Sequence, residues 1–343
     1  MKGHHLASLF FLMFVFVAYR QIPSGVFEKP VNFPKPIYRI QNNNISREKV
    51  ALGRALFYET LLSRDNTISC GSCHVQSSAF TQHGHDISHG IDDRLGNRNS
   101  PPIMNLAWNR TFFWDGGVFD LDLQALSPIT NPVEMDEKME NIIAKLSASH
   151  KYSEGFQLAF GSREISGIKV IKALSAFMLT CVSSDAKYDS VMRHQSKFTK
   201  MEKSGFRIFR QKCAACHAEP LFTDGSFRNN GLSNKFNPDS GRVAITLDPK
   251  DRYKFRVPSL RNLSFTLPFM HDGRFKNIDQ VLEHYSHGIS DSPTLDPLLR
   301  RAEFMGIPLT SKEKHELKSF LKTLDDRHFI TRKDLSENFN PKR

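Results

Sequence analysis

The chain contains few cysteines and few tryptophans, five and two among 343 residues. Four of the five cysteines fall in two copies of one pattern, Cys-x-x-Cys-His, which reads CGSCH at residues 70–74 and CAACH at residues 213–217. Only Cys181 remains, in the apolar run KALSAFMLTCV, so no further cysteine is left to form a disulfide with it. We expect Cys181 to be a buried residue of a helix.

Two other features are missing. No run of alternating polar and apolar residues is long enough to predict a sheet of any size. No basic stretch is interleaved with aromatic residues, so the dispersed net charge of +11 does not indicate a nucleic-acid groove. Such a surface would instead attract an acidic protein partner or an anionic membrane.

Long apolar runs are also absent, apart from one near the start. Residues 6–19, LASLFFLMFVFVAY, follow Lys2 and are too few to span a bilayer comfortably, which is typical of a signal-peptide core. Only Val17 and Ala18 mark a cleavage site, so residues 1–20 are interpreted as a signal peptide or an uncleaved N-terminal anchor. In both cases we expect the rest of the chain in the periplasm.

The two Cys-x-x-Cys-His patterns indicate the chemistry. A histidine directly after the second cysteine favours attachment of a c-type haem over a redox dithiol, because the thiols form thioethers with the porphyrin and the imidazole binds the iron. A four-cysteine zinc site is the alternative, but it usually needs its cysteine pairs close together in the sequence. The predicted attachment residues are Cys70, Cys73 and His74 for one haem, and Cys213, Cys216 and His217 for the other.

Length and pattern spacing fit two domains with one haem in each. We predict a mainly α fold with two cytochrome c-like haem domains, residues 35–195 and 196–326, and a loosely docked charged extension over 327–343. Helices are predicted at 46–59, 136–148, 152–160, 167–182, 199–212, 278–285 and 311–324.

Further motifs give the sequence a resemblance to a known family. They are AFT at 79–81, RLGNRNSPPIMN at 94–105, FWDGG at 113–117, QALSPITNPVEM at 124–135 and VPSLRNLSFTLPFMHDGRF at 257–275. In this order they resemble the bacterial di-haem cytochrome c peroxidases and their relative MauG, which oxidises tryptophans on a precursor protein. The resemblance runs from about residue 46 to residue 324. It implies that the first haem reacts with peroxide and the second transfers electrons.

The resemblance implies that Glu134 and Gln124 line the peroxide pocket of the first haem. Cleavage of an O–O bond needs a base that takes a proton from peroxide and returns it to the leaving oxygen, and a carboxylate beside the haem can do this. Gln124 can orient the peroxide without competing for the proton. Taken without the resemblance, Glu134 is equally well a carboxylate at the start of the helix predicted at 136–148.

The resemblance also implies an electron relay and a calcium ion between the haems. Trp114 corresponds to the relay residue, and a packed aromatic is the alternative. Asn99, with the backbone at Thr266 and Pro268, corresponds to the calcium site, where ligands that are all oxygen atoms suit this ion.

The outer ligand of the second iron distinguishes the family's subtypes. Twelve residues after the His-Asp-Gly turn, classical peroxidases have a methionine and MauG has a tyrosine, and this chain has Tyr285. A phenolate stabilises ferric and higher-valent iron, so Tyr285 predicts a MauG-like second haem. The alternatives are the flanking His284 and His287, and Met270 or Met305.

A histidine-containing loop follows the first haem pattern. In some peroxidases a loop histidine binds the first iron in the resting oxidised state and is released when the second haem is reduced, whereas MauG leaves this position open. The segment QHGHDISHGIDD at 82–93 offers His83, His85 and His89, of which His89 falls near the gating position. The alternative, which we favour, is that all three are solvated loop residues.

The sequence therefore predicts a di-haem c-type peroxidase that reduces hydrogen peroxide with electrons from an external cytochrome or cupredoxin, relayed by the second haem. One alternative is a MauG-like oxidase that uses peroxide to oxidise a protein side chain. Another is a non-catalytic di-haem electron carrier. A haem-based sensor is not favoured, because the sequence contains no recognisable output domain. The formation of a homodimer is left open.

Overall fold

A computed structural model of the protein describes residues 26–82, 84–233, 238–300 and 303–339. The signal-peptide or anchor prediction for residues 1–20, and His83, lie outside these ranges. Within them, no helix is both long and apolar enough to cross a membrane.

Helices joined by long connections form most of the described chain, which confirms the predicted mainly α class. A two-stranded antiparallel ribbon is formed by β1 (Phe227–Arg228) and β2 (Phe255–Arg256), in which Phe227 pairs with Arg256. The α-helices are Arg47–Phe57 (α1), Cys70–Cys73 (α2), Leu121–Gln124 (α3), Leu126–Thr130 (α4), Met139–Ser147 (α5), His150–Phe160 (α6), Gly167–Thr180 (α7), Lys187–Met192 (α8), Lys200–Lys212 (α9), Val243–Thr246 (α10), Ile278–His287 (α11), Ser311–Leu321 (α12) and Arg327–Thr331 (α13).

The helices predicted from the sequence are present, with ends that differ by a few residues. Ser46 caps α1 by accepting a hydrogen bond from the Lys49 backbone N–H at 3.1 Å. The helix predicted from Asp136 begins only at Met139, because Asp136 has φ +49° and cannot continue a right-handed helix. Cys181 directly follows α7 and is fully buried, so it is a core residue at a helix end.

Two hydrophobic clusters organise the molecule, one around each Cys-x-x-Cys-His pattern. The first is built on the α1–α7 pair, where a Cβ on Gly53 would lie 1.8 Å from the Ala173 carbonyl oxygen. The second is built on the α9–α12 pair, where a Cβ on Gly205 would lie 2.0 Å from the Glu316 carbonyl oxygen. In each pair glycine lets two helix backbones approach more closely than any side chain allows. Tyr188 on α8 packs in the second cluster.

The C-terminal segment differs from the loosely docked extension expected from the sequence. Phe329 on α13 and Leu335 beyond it are almost fully buried in the first cluster. The Arg54 guanidinium and the Tyr58 hydroxyl of α1 donate to the backbone carbonyls of Asp334 and Leu335 at 2.8 and 2.9 Å. Because the segment is rich in charged residues, the sequence analysis did not predict that Phe329 and Leu335 are buried.

We expect Phe329→Ala to destabilise the first half of the molecule by about 3 to 5 kcal/mol, because it leaves a cavity beside Phe80 and removes buried apolar area. Denaturant unfolding followed by circular dichroism measures the change. Lys333→Ala, at an exposed position of the same segment, is the control and should change stability by less than about 0.5 kcal/mol. Equal effects of the two substitutions would contradict the packing described.

Candidate functional site

His74 is fixed at the end of a single helical turn. The backbone N–H of His74 donates to the Cys70 carbonyl at 2.9 Å, which closes α2. The ring Nδ1 lies 2.8 Å from the Phe80 carbonyl oxygen, so it carries the proton and Nε2 keeps its lone pair. Burial lowers the pKa of His74, which favours the neutral imidazole that binds iron.

The second pattern is built in the same way. The His217 backbone N–H donates to the Cys213 carbonyl at 3.0 Å, and its Nδ1 lies 3.1 Å from the carbonyl oxygens of both Phe222 and Pro258. Burial again lowers the pKa of the imidazole. Both histidines therefore have the tautomer and the neutral charge that an iron ligand needs.

The carbonyl partners are functional residues that the sequence reasoning missed. Phe80 and Phe222 are both fully buried, have positive φ, and are followed by threonines that hydrogen-bond the backbone of the next segment. A sequence signal was available, because the dipeptide Phe-Thr follows each haem pattern, at 80–81 and at 222–223. The dipeptide also occurs at 198–199 and 265–266, so only its position five or six residues after each histidine distinguishes these two copies.

The environment of the thiols fits covalently bound haem. All five cysteines are free of disulfides, and burial raises the pKa of Cys70 and Cys213 to about 12, so both thiols lie in apolar surroundings. Cys213, Cys216 and His217 line a cavity of about 210 Å³. Its wall is mostly apolar, which suits a porphyrin face.

Glu134 lies close to the first pattern. Burial raises the pKa of its carboxyl group above the ordinary value, although the amide of Asn131, which donates to Oε1 at 2.7 Å, opposes this. Burial, and after it the charge of Glu134, raises the pKa of the Cys73 thiol to about 11. The Glu134 carbonyl accepts from the Ile91 N–H at 2.8 Å, and His89, two residues earlier, contacts the Cys73 sulfur. Gln124 is half-buried at the end of α3, and no hydrogen bond joins its side chain to Glu134 in the described part of the chain.

The loop that carries Glu134 is held tightly. The backbone N–H groups of Glu134 and Asp136 both donate to the Asn131 carbonyl at 3.0 Å. On the other side, the Ile91 N–H donates to the Glu134 carbonyl at 2.8 Å, and a Cβ on Gly90 would lie 2.1 Å from the Val133 carbonyl oxygen. The loop that carries the carboxylate is therefore held between Asn131, at the end of α4, and residues 90–91.

Trp114 lies where the two halves meet. Its indole N–H donates to the Asn99 carbonyl at 2.9 Å, and its own carbonyl accepts from the Arg256 N–H at 2.7 Å. The ring lines the cavity that contains His217. Trp114 is thus fixed by one residue from each half.

The predicted calcium residues also meet in this region. Asn99, Thr266 and Pro268 line the same cavity, and the Asn99 amide Nδ2 lies 3.0 Å from the Pro268 carbonyl oxygen. Rotation of this amide by half a turn would place Oδ1, an oxygen that suits calcium, at the position that Nδ2 has. The donor types therefore fit the ion.

The candidates for outer ligand of the second iron are separated by position. Tyr285 on α11 and Met270 both line the cavity with His217. Burial raises the pKa of Tyr285 to about 12, whereas a hydrogen bond with Asn230 opposes the rise. The other three candidates, His284, His287 and Met305, are not among the lining residues; His284 Nε2 lies 3.1 Å from the Asn230 carbonyl oxygen, and His287 is exposed beside Glu283.

Of the two loop histidines that the structure describes, His85 is exposed and His89 is partly exposed. The rings of His85 and His89 lie 4.3 Å apart, and His89 Nδ1 lies 2.7 Å from the Asp93 carboxylate. The His89 backbone carbonyl is 3.5 Å from the Cys73 sulfur, so the loop passes directly over the first pattern.

Comparison with known proteins identifies the family. Residues 47–197 match the family described as di-haem cytochrome c peroxidase. Over 308 residues the chain is 36% identical to the methylamine utilization protein MauG of Methylorubrum extorquens, covering 87% of this chain and 83% of that protein. The chain belongs to the di-haem cytochrome c peroxidase family.

Other members support the same assignment. The cytochrome c551 peroxidase of Nitrosomonas europaea is 32% identical over 254 residues, which cover 73% of this chain and 75% of that protein. A crystal structure of a MauG-like protein associated with microbial copper homeostasis superimposes with a TM-score of 0.80 at 33% identity, covering 91% of this chain and 99% of that one. Membership confirms the family and the peroxidase-type oxidoreductase class inferred from the motifs, and it implies two haem c groups.

We expect Gly90→Ala to destabilise the first half by about 1 to 3 kcal/mol, because the new methyl group would collide with backbone atoms of Val133 and Glu134. Thermal unfolding measures the loss. Gly96→Ala is the control in the same loop, since its methyl group would meet the rotatable Ser88 hydroxyl rather than backbone. If Gly96→Ala proves as costly as Gly90→Ala, the clamp on the Glu134 loop is not tight.

Proposed function

We propose that this member of the family reduces hydrogen peroxide at a haem held by Cys70, Cys73 and His74, with electrons supplied through a second haem held by Cys213, Cys216 and His217. The observation that supports this proposal most directly is the position of Glu134. A partly buried carboxylate of raised pKa, on a loop hydrogen-bonded to the segment that contacts Cys73, is what a peroxide-cleaving site needs and what a simple electron carrier does not.

Glu134 is proposed to act as the base and then the acid. Haem, when bound, supplies the electrons for O–O cleavage, and the protein moves the protons. Glu134 takes a proton from one oxygen of peroxide and returns it to the departing oxygen, which leaves as water. The Asn131 amide holds one carboxylate oxygen in place, and Gln124 is proposed to orient the peroxide.

Trp114 is proposed to carry electrons between the two haems. Its backbone and indole are both fixed, so the ring would have one position relative to each haem. The calcium ion proposed at Asn99, Thr266 and Pro268 would stiffen this same junction. The proposed location is the periplasm, with a small cytochrome or cupredoxin as donor, and the basic net charge would favour an acidic partner.

A MauG-like oxidase is the second candidate, and Tyr285 is the observation that favours it. The phenol lies in the cavity with His217, and a tyrosine ligand would stabilise oxidised iron more than a thioether does. Three of the relatives are MauG proteins, one of them at 36% identity. In this function the oxidised pair of haems would accept electrons from a protein side chain instead of from a donor protein.

We expect Glu134→Gln to slow the reaction with hydrogen peroxide by about a hundredfold or more, because the amide cannot accept the proton. Stopped-flow absorbance of the haem bands after peroxide addition gives the rate. The rate of the parent protein should fall as the pH decreases through the raised pKa of Glu134, so the fall should begin above the ordinary carboxyl value of 4.5.

Glu140→Gln, at an exposed position of α5, removes the same charge from the surface and should leave the rate unchanged. Both variants should retain two haems, measured as the pyridine haemochrome. An unchanged rate in Glu134→Gln with both haems present would remove this residue from the mechanism.

We expect Tyr285→Phe to change the ferric absorption spectrum and the reduction potential of the second haem, because it removes the proposed oxygen ligand. Met270→Leu should leave both unchanged, although Met270 lines the same cavity. Spectroelectrochemical titration of the two variants makes the comparison. The reverse pattern would assign the ligand to Met270 and favour a classical peroxidase.

A further inference from the structure

Arg256 is a partly buried cation without a carboxylate partner among the described residues. Its Nε is buried and has no hydrogen-bond partner among the described residues. Burial alone accounts for the lowering of its pKa to about 10, with no carboxylate to oppose it. No acidic side chain of the described residues pairs with this guanidinium, so it is available to an anion that the polypeptide does not supply.

Other arginines in this part of the molecule differ in this respect. Arg228 lines the same cavity, but its guanidinium donates to Asp296 and Asp224 at 2.8 and 2.9 Å. Arg98 donates to Asp239 at 2.6 Å and also pairs with Asp115. The contrast shows that the fold supplies carboxylates to neighbouring cations and withholds one from Arg256.

The position of Arg256 is fixed by its backbone. It ends strand β2, pairs with Phe227, and donates its N–H to the Trp114 carbonyl at 2.7 Å. Two residues later, the Pro258 carbonyl accepts the Nδ1 proton of His217. Arg256, Tyr285 and His217 line one cavity, so Arg256 is part of the wall around the second proposed haem. Arg256 also lines a smaller neighbouring cavity beside Trp114 and Pro258.

We propose that Arg256 forms an ion pair with a propionate of the haem attached at Cys213 and Cys216. This inference rests on the proposed function, because it requires a haem at the second pattern. Haem carries two propionate carboxylates, and a guanidinium binds a carboxylate through two parallel hydrogen bonds. The pair supplies the missing counterion to Arg256 and places a positive charge beside the iron that delivers electrons.

A positive charge next to a haem favours the reduced form, which carries one negative charge more than the oxidised form. Arg256 therefore tunes the second haem towards accepting electrons, in opposition to a phenolate ligand. Arg256 is a positioning and tuning residue, since it acts through the propionate and not on peroxide.

The test is a spectroelectrochemical titration of the second haem in the holoprotein, with haem counted as the pyridine haemochrome. In Arg256→Gln we expect the equilibrium between oxidised and reduced haem to shift at least tenfold towards the oxidised form, which is a decrease of 59 mV for a one-electron couple. Arg256→Lys keeps the charge and should remain within about twofold of the parent. Arg207→Gln removes an exposed charge from α9 and should not change the potential.

An unchanged potential in Arg256→Gln with both haems attached would overturn the ion pair. Loss of the second haem from Arg256→Lys as well as from Arg256→Gln would also overturn it, because it would show a packing requirement instead of a charge requirement. A parent protein with only one haem would instead refute the proposed function, so the two failures are distinguishable.

Discussion

The chemistry of both halves depends on one kind of hydrogen bond, from a buried imidazole Nδ1 to a backbone carbonyl. His74 makes it with Phe80 at 2.8 Å, and His217 makes it with Phe222 and Pro258 at 3.1 Å. The bond fixes the tautomer and the plane of the ring, while burial keeps the ring neutral. The cysteine turn before each histidine and the Phe-Thr pair after it serve to place this bond.

The sequence analysis correctly predicted the features that depend on residues close together in the chain. Each Cys-x-x-Cys-His pattern is complete within five residues, and amphipathic helices such as α9 carry their own period and caps. It could not predict the features that depend on residues far apart in the sequence. The charged C-terminal segment gave no sign that Phe329 completes a core some 250 residues away, and nothing local shows that Arg256 lacks the carboxylates that Arg228 has. Position in space, and not residue type, decides these cases.

The junction between the halves is built from polar contacts, in contrast to the two apolar clusters. Arg98 joins Asp115 of the first half to Asp239 of the second, Asn99 reaches Pro268, and Trp114 is fixed by Asn99 and Arg256. Directional bonds of this kind determine distance and angle more closely than apolar packing does. Electron transfer depends steeply on both, so a polar junction suits the proposed relay better than a larger hydrophobic contact would.

The C-terminal segment packs against α1 near the start of the first half, and this contact constrains how the protein can fold. Since α13 and Leu335 close the cluster around the first cysteine pair, that cluster stays incomplete until residues 327–335 have been synthesised and have packed against it. A haem joined to Cys70 and Cys73 before that moment would lie in an incomplete fold. Completion of the first centre therefore depends on these residues, and a chain that lacked them would leave the cluster open to solvent.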